Sequence, residues 1–367
     1  MLEEAVTYPP RDGYPLFLTA KRYWMPEFEA HTDDPEAWTL ILLHSTASHK
    51  ESWEPTLERI FHSAKKDKSV KIREAWCLDC PNHGASGHLN ERILQTPEYY
   101  LNFTCDKYAE AIYHFLVAGP NHGAKVEFRA RRLYGVGHSL GGNTMAILQT
   151  MEPRIDFESI TIVDPMLSPA GSHHLNKLRS ILIKGAYERR DVWPDRVTAM
   201  KALKRRDRTK KWDPRILDIF IKHGIRPHPG SYYLENPYLG VTLACTRDQE
   251  AAMYRDPEGA TKPVKALDIA CREKPVHIVF GGIHDFMPQR THEALLDKKS
   301  GRSFATVTVI KESGHLVRVF PLLSPLLLYP TLSNSYLILF PQCRSHLRFQ
   351  TYWVRCYMRT CEGVERF

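Results

Sequence analysis

Short apolar segments alternate with amphipathic segments along most of the chain. A continuous apolar run is typical of a strand buried on both faces of a sheet, and an apolar stripe at helical spacing is typical of a surface helix. The first pattern, with one alternating segment at the start, predicts strands at residues 14–25, 39–43, 71–78, 132–136, 159–163, 276–280 and 305–310. Helical segments lie between them, for example at 52–64 and 106–117. This order predicts an α/β fold, a mostly parallel central sheet flanked by helices.

Residues 165–275 have a different pattern, with no strong strand signal. Short amphipathic segments recur there, at 174–183, 196–203, 215–222 and 248–254. Such a stretch is too long for a loop in a compact domain unless it has structure of its own. We therefore expect a helical cap at 165–275, inserted over the carboxyl ends of the strands. It would separate an N-terminal core at 1–164 from a core completion at 276–317.

A G-x-S-x-G pentapeptide at residues 137–141 directly follows the predicted strand at 132–136 and precedes a helical segment. Between a strand and a helix, this motif lifts a serine hydroxyl above the sheet on a sharp turn. Ser139 is therefore the predicted nucleophile, although a glycine-rich turn whose serine caps the helix would give the same pentapeptide. The backbone N–H groups of Leu140 and Thr46 are the predicted donors to a developing oxyanion.

A serine hydroxyl becomes a good nucleophile when a base removes its proton. We predict His315 as the base, because it follows the last predicted strand and comes after the serine in chain order. A buried carboxylate must orient the imidazole, and two aspartates qualify: Asp164 ends the strand at 159–163, and Asp285 follows the strand at 276–280. Because aspartate is also common in turns beside proline and glycine, the pattern leaves both open.

One basic segment lies within the predicted cap and contains Lys204, Arg205, Arg206 and Arg208. A solvated helix face explains most such runs. The alternative is a docking surface for the anionic part of a substrate, such as the phosphates of coenzyme A.

The composition limits the function classes. The chain has 367 residues, of which 43% are hydrophobic and 25% charged, as in ordinary globular proteins. Its net charge of +8 forms no long basic face with interleaved aromatics, so no nucleic-acid partner is expected. The acidic, polar N-terminus does not resemble a secretory signal, so the eight cysteines should be reduced. Cys77 and Cys80 have no second pair at zinc spacing, and we predict neither a metal nor a cofactor.

Together these motifs resemble the α/β-hydrolase superfamily. The matching segments are His44-Ser45-Thr46, the D-x-x-x-H-G-x-S segment at 79–87, the pentapeptide at 137–141, Asp285, and Gly314-His315. Residues 43–53, 163–167 and 281–288 also resemble a fungal branch of peroxisomal hydrolases from secondary-metabolite and host-selective toxin pathways, some of which act on acyl-CoA thioesters. The resemblance implies an α/β-hydrolase fold with Ser139 as nucleophile and His315 as base. It also favours Asp164 as the acid, with Asp285 in reserve, and implies a peroxisomal location.

Two features depart from this branch. Ser45 stands where the wider superfamily has glycine, so the oxyanion loop is expected to differ. Residues 318–367 contain no Ala, Asp or Lys and end without a peroxisomal tripeptide, so a cytoplasmic location is the alternative expectation. Our hypothesis is that this tail comes from another reading frame or an unspliced intron. Residues 319–343 are uncharged, but their four prolines argue against a membrane-spanning helix.

The sequence therefore predicts a serine hydrolase that cleaves a small-molecule ester or acyl-CoA thioester through an acyl-enzyme, in fungal toxin or other secondary-metabolite biosynthesis. An epoxide hydrolase-like enzyme is one alternative, although it would need aspartate in place of Ser139. The other is a catalytically impaired homologue that binds a ligand or a partner.

Overall fold

A computed structural model describes residues 1–315 except residues 12, 68, 208 and 211. The strands are β1 (Leu2–Tyr8), β2 (Leu18–Trp24), β3 (Trp38–Leu43), β4 (Ile72–Leu78), β5 (Arg132–His138), β6 (Phe157–Val163), β7 (Val192–Trp193), β8 (Ile225–Pro227), β9 (Val241–Leu243), β10 (Val276–Gly281) and β11 (Thr306–Ile310). The α-helices are α1 (Glu54–Lys66), α2 (Gly84–Leu89), α3 (Cys105–Val117), α4 (Leu140–Leu148), α5 (Asn176–Glu188), α6 (Arg196–Arg205), α7 (Pro214–His223), α8 (Arg247–Arg255), α9 (Lys262–Glu273) and α10 (Gln289–Leu296).

The larger sheet has the strand order β1-β2-β4-β3-β5-β6-β10-β11. β2 runs antiparallel to both β1 and β4, and the other neighbouring pairs are parallel. The longest apolar runs of the sequence form interior strands of this sheet. Every residue of the interior strand β4 is buried. The predicted fold, a mostly parallel sheet flanked by helices, is confirmed. β1 was not predicted because it is an exposed edge strand without an apolar run.

Helices cover both faces of this sheet. On one face, α3, α4 and α9 contribute residues such as Ile112, Met145 and Leu267 to a large core. On the other, α1 contributes Leu57 and Phe61 to a second core. α4 is buried along its whole length and contacts both α3 and α9. The packing therefore fixes the position of the helix that begins directly after Ser139.

The segment predicted as a helical cap contains helices near the predicted positions and also a small antiparallel sheet of order β7-β9-β8. These strands were not predicted, because two or three residues are too few to show a period. Trp193, Leu203, Phe220 and Leu243 pack with their neighbours in a separate apolar cluster. The proposed domain boundaries at 164 and 275 stay a prediction.

Residues 316–317 of the predicted core completion and the whole predicted tail, 318–367, lie outside the described residues. Within the part of the chain that the structure describes, no helix combines the length and the apolar character needed to cross a membrane.

A buried ion pair connects the loops that follow β3 and β4. The carboxylate of Asp79 is fully buried and accepts hydrogen bonds from the Lys50 ammonium (2.8 Å) and the Lys50 backbone N–H (2.8 Å). It also accepts from the Thr19 hydroxyl at 2.9 Å. Burial alone would lower the pKa of Lys50, but Asp79 and Glu51 outweigh it and raise the pKa. Lys50 is therefore charged, and it compensates the Asp79 carboxylate inside the protein.

Replacing this lysine tests the ion pair. Lys50→Met should lower the free energy of unfolding by about 3–5 kcal/mol, because it leaves a buried carboxylate without its counter-ion. Urea denaturation followed by far-UV circular dichroism measures the change. Lys65→Met is the matched control: it removes an exposed lysine that pairs with Glu27 at the surface, and the denaturation midpoint should hardly move. Equally small effects in both variants would contradict the role given to Lys50.

Candidate active site

Ser139 lies on a sharp turn between β5 and α4. Its backbone has φ 56° and ψ −123°, an unusual conformation for a residue with a side chain, and such conformations cluster at functional sites. The flanking glycines make the turn possible. A Cβ atom on Gly137 would lie 2.3 Å from the Gly141 carbonyl oxygen, and one on Gly141 would lie 2.5 Å from the His44 carbonyl oxygen. The G-x-S-x-G spacing therefore reflects backbone segments in direct contact.

The structure brings together three residues that the sequence placed far apart. His315 Nε2 lies 2.9 Å from Ser139 Oγ, and His315 Nδ1 lies 2.5 Å from Asp164 Oδ2. All three residues are at most 5% exposed. With its Nδ1–H donating to the carboxylate, the imidazole leaves Nε2 free to accept the serine proton. This is the arrangement that activates a serine hydroxyl.

Asp164 directly follows β6 and is almost fully buried. Burial alone would raise its pKa, but contacts with the His292 and His315 imidazoles outweigh it and hold the pKa well below the usual range. The carboxyl group is therefore ionised. His292, on α10, was not singled out from the sequence, because its position after a predicted strand does not distinguish it among 18 histidines.

Asp285, the reserve acid, contacts the main chain of the histidine loop. Its Oδ1 accepts the His315 backbone N–H at 3.0 Å, and a Cβ atom on Gly314 would lie 2.2 Å from its Oδ2. Phe286 stacks flat on the imidazole of His315, with 4.2 Å between ring centroids and 4° between planes. Asp164 thus contacts the ring, and Asp285 braces its backbone. The catalytic role of each aspartate stays a prediction.

His138 holds the histidine loop from the other side. Its Nε2 donates to the His315 carbonyl oxygen at 2.9 Å. Burial, and then the nearby His315, lower the pKa of His138 to about 3. The ring is therefore neutral at physiological pH. The sequence analysis did not select His138 as a site residue, although its position between Gly137 and Ser139 in the pentapeptide could have identified it.

The two predicted oxyanion donors lie beside Ser139. Leu140 is the first residue of α4, where a helical N–H has no acceptor within its own helix. Thr46 lines the same cavity as Ser139. The loop around Thr46 is held by His83, whose Nε2 accepts the Ala47 N–H at 2.9 Å, and Ala47 adopts a positive φ of 62°. An ordered loop therefore forms without the usual glycine, and the donor roles stay predictions.

A cavity of about 120 Å³ opens onto Ser139 and His315. Residues 182–243 supply an apolar part of its wall, which consists of Leu182, Trp193, Leu203, Trp212, Ile216, Phe220 and Leu243. From the predicted basic segment, Arg206 lines the cavity, whereas Lys204 and Arg205 are exposed on α6. Arg208 lies outside the described residues. Two arginines that the sequence analysis did not select, Arg189 and Arg190, also line the cavity.

Comparison with known proteins places this geometry in context. Residues 40–329 match the model of the alpha/beta hydrolase family. A type I acyl-CoA thioesterase, mpaH' of Penicillium brevicompactum, is 30% identical over 235 residues, which cover 64% of this chain and 50% of that protein. The abhydrolase domain-containing protein AFT2-1 of Alternaria alternata is 35% identical over 127 residues, covering 34% of this chain and 45% of that protein. The chain thus spans about half the length of these curated relatives.

Solved structures share the fold. The peroxisomal alpha-beta-hydrolase Lpx1 from Saccharomyces cerevisiae matches with a TM-score of 0.63 at 16% identity, covering 100% of this chain and 98% of that one. A thioesterase domain from the curacin biosynthetic pathway matches with a TM-score of 0.57 at 14% identity, covering 89% of this chain and all of that one. At such low identity these likenesses show the fold alone.

His138 should make stability depend on pH. Its pKa of about 3 in the folded state lies below the roughly 6.5 of an unfolded histidine. Between these values the unfolded chain binds a proton that the folded chain does not, so stability falls as the pH drops through this window. His138→Gln cannot be protonated and keeps an N–H donor for the His315 carbonyl. Urea denaturation at pH 7 and pH 4.5 should show a smaller fall for the variant than for the wild type. An equal fall would contradict this assignment.

Proposed function

This chain belongs to the alpha/beta hydrolase family, as its motifs predicted, and we propose that it is a serine hydrolase that cleaves an ester or an acyl-CoA thioester through an acyl-enzyme. One observation carries the proposal: Ser139 Oγ lies 2.9 Å from His315 Nε2, while His315 Nδ1 faces Asp164 at 2.5 Å. The base is thus within reach of the hydroxyl proton, and an ionised carboxylate is positioned to stabilise the imidazolium that forms.

The proposed reaction has two stages. Ser139 Oγ attacks the substrate carbonyl carbon while His315 Nε2 takes the hydroxyl proton, and the N–H groups of Leu140 and Thr46 donate to the oxyanion. The tetrahedral intermediate collapses, and His315 returns the proton to the departing alcohol or thiol. The same imidazole then removes a proton from water, which attacks the acyl-enzyme. The acid is released and Ser139 is regenerated, and no cofactor takes part.

The residues that line the cavity are consistent with the proposal of an acyl substrate that has an anionic part. The apolar wall suits an acyl group, and two positively charged residues, Arg190 and Arg206, also line the cavity. The phosphates of coenzyme A have the chemistry to interact with such residues. The Penicillium relatives named as type I acyl-CoA thioesterases support the same substrate class. A role in fungal secondary metabolism or toxin biosynthesis and a peroxisomal location stay predictions from the sequence resemblance.

Labelling with a fluorophosphonate probe tests the nucleophile. The wild-type protein should form a covalent adduct, and Ser139→Ala should abolish it because the attacking oxygen is gone. Ser168→Ala is the control: that serine is also buried, but its hydroxyl donates to the Gly171 carbonyl and not to an imidazole. Mass spectrometry of the intact protein gives the readout. A folded wild-type protein that takes up no probe would instead favour the impaired, ligand-binding homologue.

Two matched aspartate variants test the acid. Asp164→Asn should lower kcat/KM for p-nitrophenyl butyrate by about 10⁴-fold, since an amide neither fixes the required tautomer nor stabilises the imidazolium. Asp285→Asn should lower it by roughly tenfold or less, because the amide oxygen can still accept the His315 backbone N–H. The opposite ranking would assign the acid to Asp285.

A further inference from the structure

His292 lies on the far side of the Asp164 carboxylate from His315. Its Nε2 is 3.0 Å from Asp164 Oδ1, whereas His315 occupies Oδ2. His292 is only 7% exposed, and its ring stacks on Phe280 with 4.2 Å between centroids. The Gly281 N–H also approaches Oδ1, but at 3.4 Å, which is long for a hydrogen bond. His292 is therefore the nearer of the two partners of this oxygen.

We propose that His292 is a positioning residue that holds the Asp164 carboxylate ionised and turned so that Oδ2 faces His315. This inference rests on the proposed function, in which Asp164 orients the base. A buried carboxylate is costly unless both oxygens have polar partners, so a partner at Oδ1 offsets part of the cost of the charge and restrains the direction of the group. Nε2 approaches Oδ1 closely but does not form a hydrogen bond of ordinary geometry with it. Hydrogen bonds at catalytic sites are often poorly aligned without substrate and tighten when it binds.

The titratable and charged neighbours recorded for His292 come from three parts of the described chain. Asp164 faces it from the end of β6, and the exposed ring of His284 lies 5.3 Å away in the loop after β10. On α10 itself, Arg290 and Glu293 are its charged neighbours in sequence. The Arg290 guanidinium donates to the His174 carbonyl, and the Glu293 carboxylate accepts from the Gln289 amide. Asp164, at 3.0 Å, is the carboxylate recorded in contact with His292.

Removing His292 should therefore change how Asp164 acts on the base. A carboxylate with one donor fewer carries more negative charge on the oxygen that faces His315, and it holds the protonated imidazole more tightly. The orientation of the Asp164 carboxylate is also less restrained. The acid limb of the kcat/KM profile should move to higher pH, and kcat should fall more than KM rises.

The test uses the full chain, with p-nitrophenyl butyrate as substrate across the pH range. His292→Leu should lower kcat/KM by about 10- to 100-fold, the usual effect of losing a hydrogen bond to a charged group. His292→Gln should recover most of the rate and the position of the acid limb, because its amide N–H reaches the place of the imidazole Nε2. His284→Leu, which removes the neighbouring exposed histidine, should behave as the wild type.

Other results would overturn the proposal. One is that His292→Leu has the kinetics of the wild type. The other is that His292→Leu loses activity equally at every pH, so that the acid limb of its kcat/KM profile stays in place or moves to lower pH. If the leucine variant does not fold, His292→Gln is compared with His292→Asn, whose shorter side chain cannot reach Asp164. Equal rates for these two variants would also refute the role.

A second measurement needs no turnover. The proton between His315 Nδ1 and Asp164 Oδ2 should give a far-downfield ¹H NMR resonance, because hydrogen bonds to an ionised carboxylate are strong. His292→Gln should leave this resonance near its wild-type position, and His292→Asn should shift it. An unchanged resonance in both variants overturns the proposal. If Ser139 takes up no probe, the proposed function fails while this resonance still reports on His292.

Discussion

The close approach of the α4 N-terminus to the ends of β3 and β5 is the constraint on which the candidate site depends. A side chain on Gly137 or Gly141 would overlap the backbone of the neighbouring segment. Ser139, between them, is forced to a positive φ, and its hydroxyl lies 2.9 Å from His315 Nε2. Because α4 is buried along its whole length, any change in the core that moved this helix would also move Ser139. The lack of a side chain at Gly137 and Gly141 therefore allows both the close packing of these segments and the position of the Ser139 hydroxyl.

Two buried aspartates at the ends of parallel strands illustrate how the partner of a carboxylate decides its role. Asp79, after β4, is compensated by the Lys50 ammonium, which stays charged. Such a pair fixes two loops but exchanges no proton. Asp164, after β6, instead has two imidazoles as its partners, His292 at Oδ1 and His315 at Oδ2. A carboxylate at the end of a strand therefore holds two loops together in one place, and in the other it contacts the histidine that we propose as the base.

The sequence predicted the parts of the fold and site that depend on local pattern. Buried strands appeared as apolar runs, and the pentapeptide identified the turn at Ser139. The pattern could not separate Asp164 from Asp285, because both follow sheet strands, and they differ in whether the side chain meets the ring or the backbone of His315. His292 was missed for the same reason, since its contact comes from tertiary packing. The strands β7 to β9 were missed because they are too short to show a period.

The flat stacking of Phe286 on His315 restricts how the imidazole can move. A ring covered at 4.2 Å by a parallel neighbour can swing within its own plane but cannot tip out of it without losing that contact. In the proposed reaction, such an in-plane swing would carry Nε2 from the serine oxygen towards the leaving group while Nδ1 stays beside the Asp164 carboxylate. Phe286 also forms part of the cavity wall. In the reaction proposed above, an acyl chain that presses on this phenyl ring would restrict the swing of the imidazole, so the shape of the substrate would affect when the leaving group is protonated.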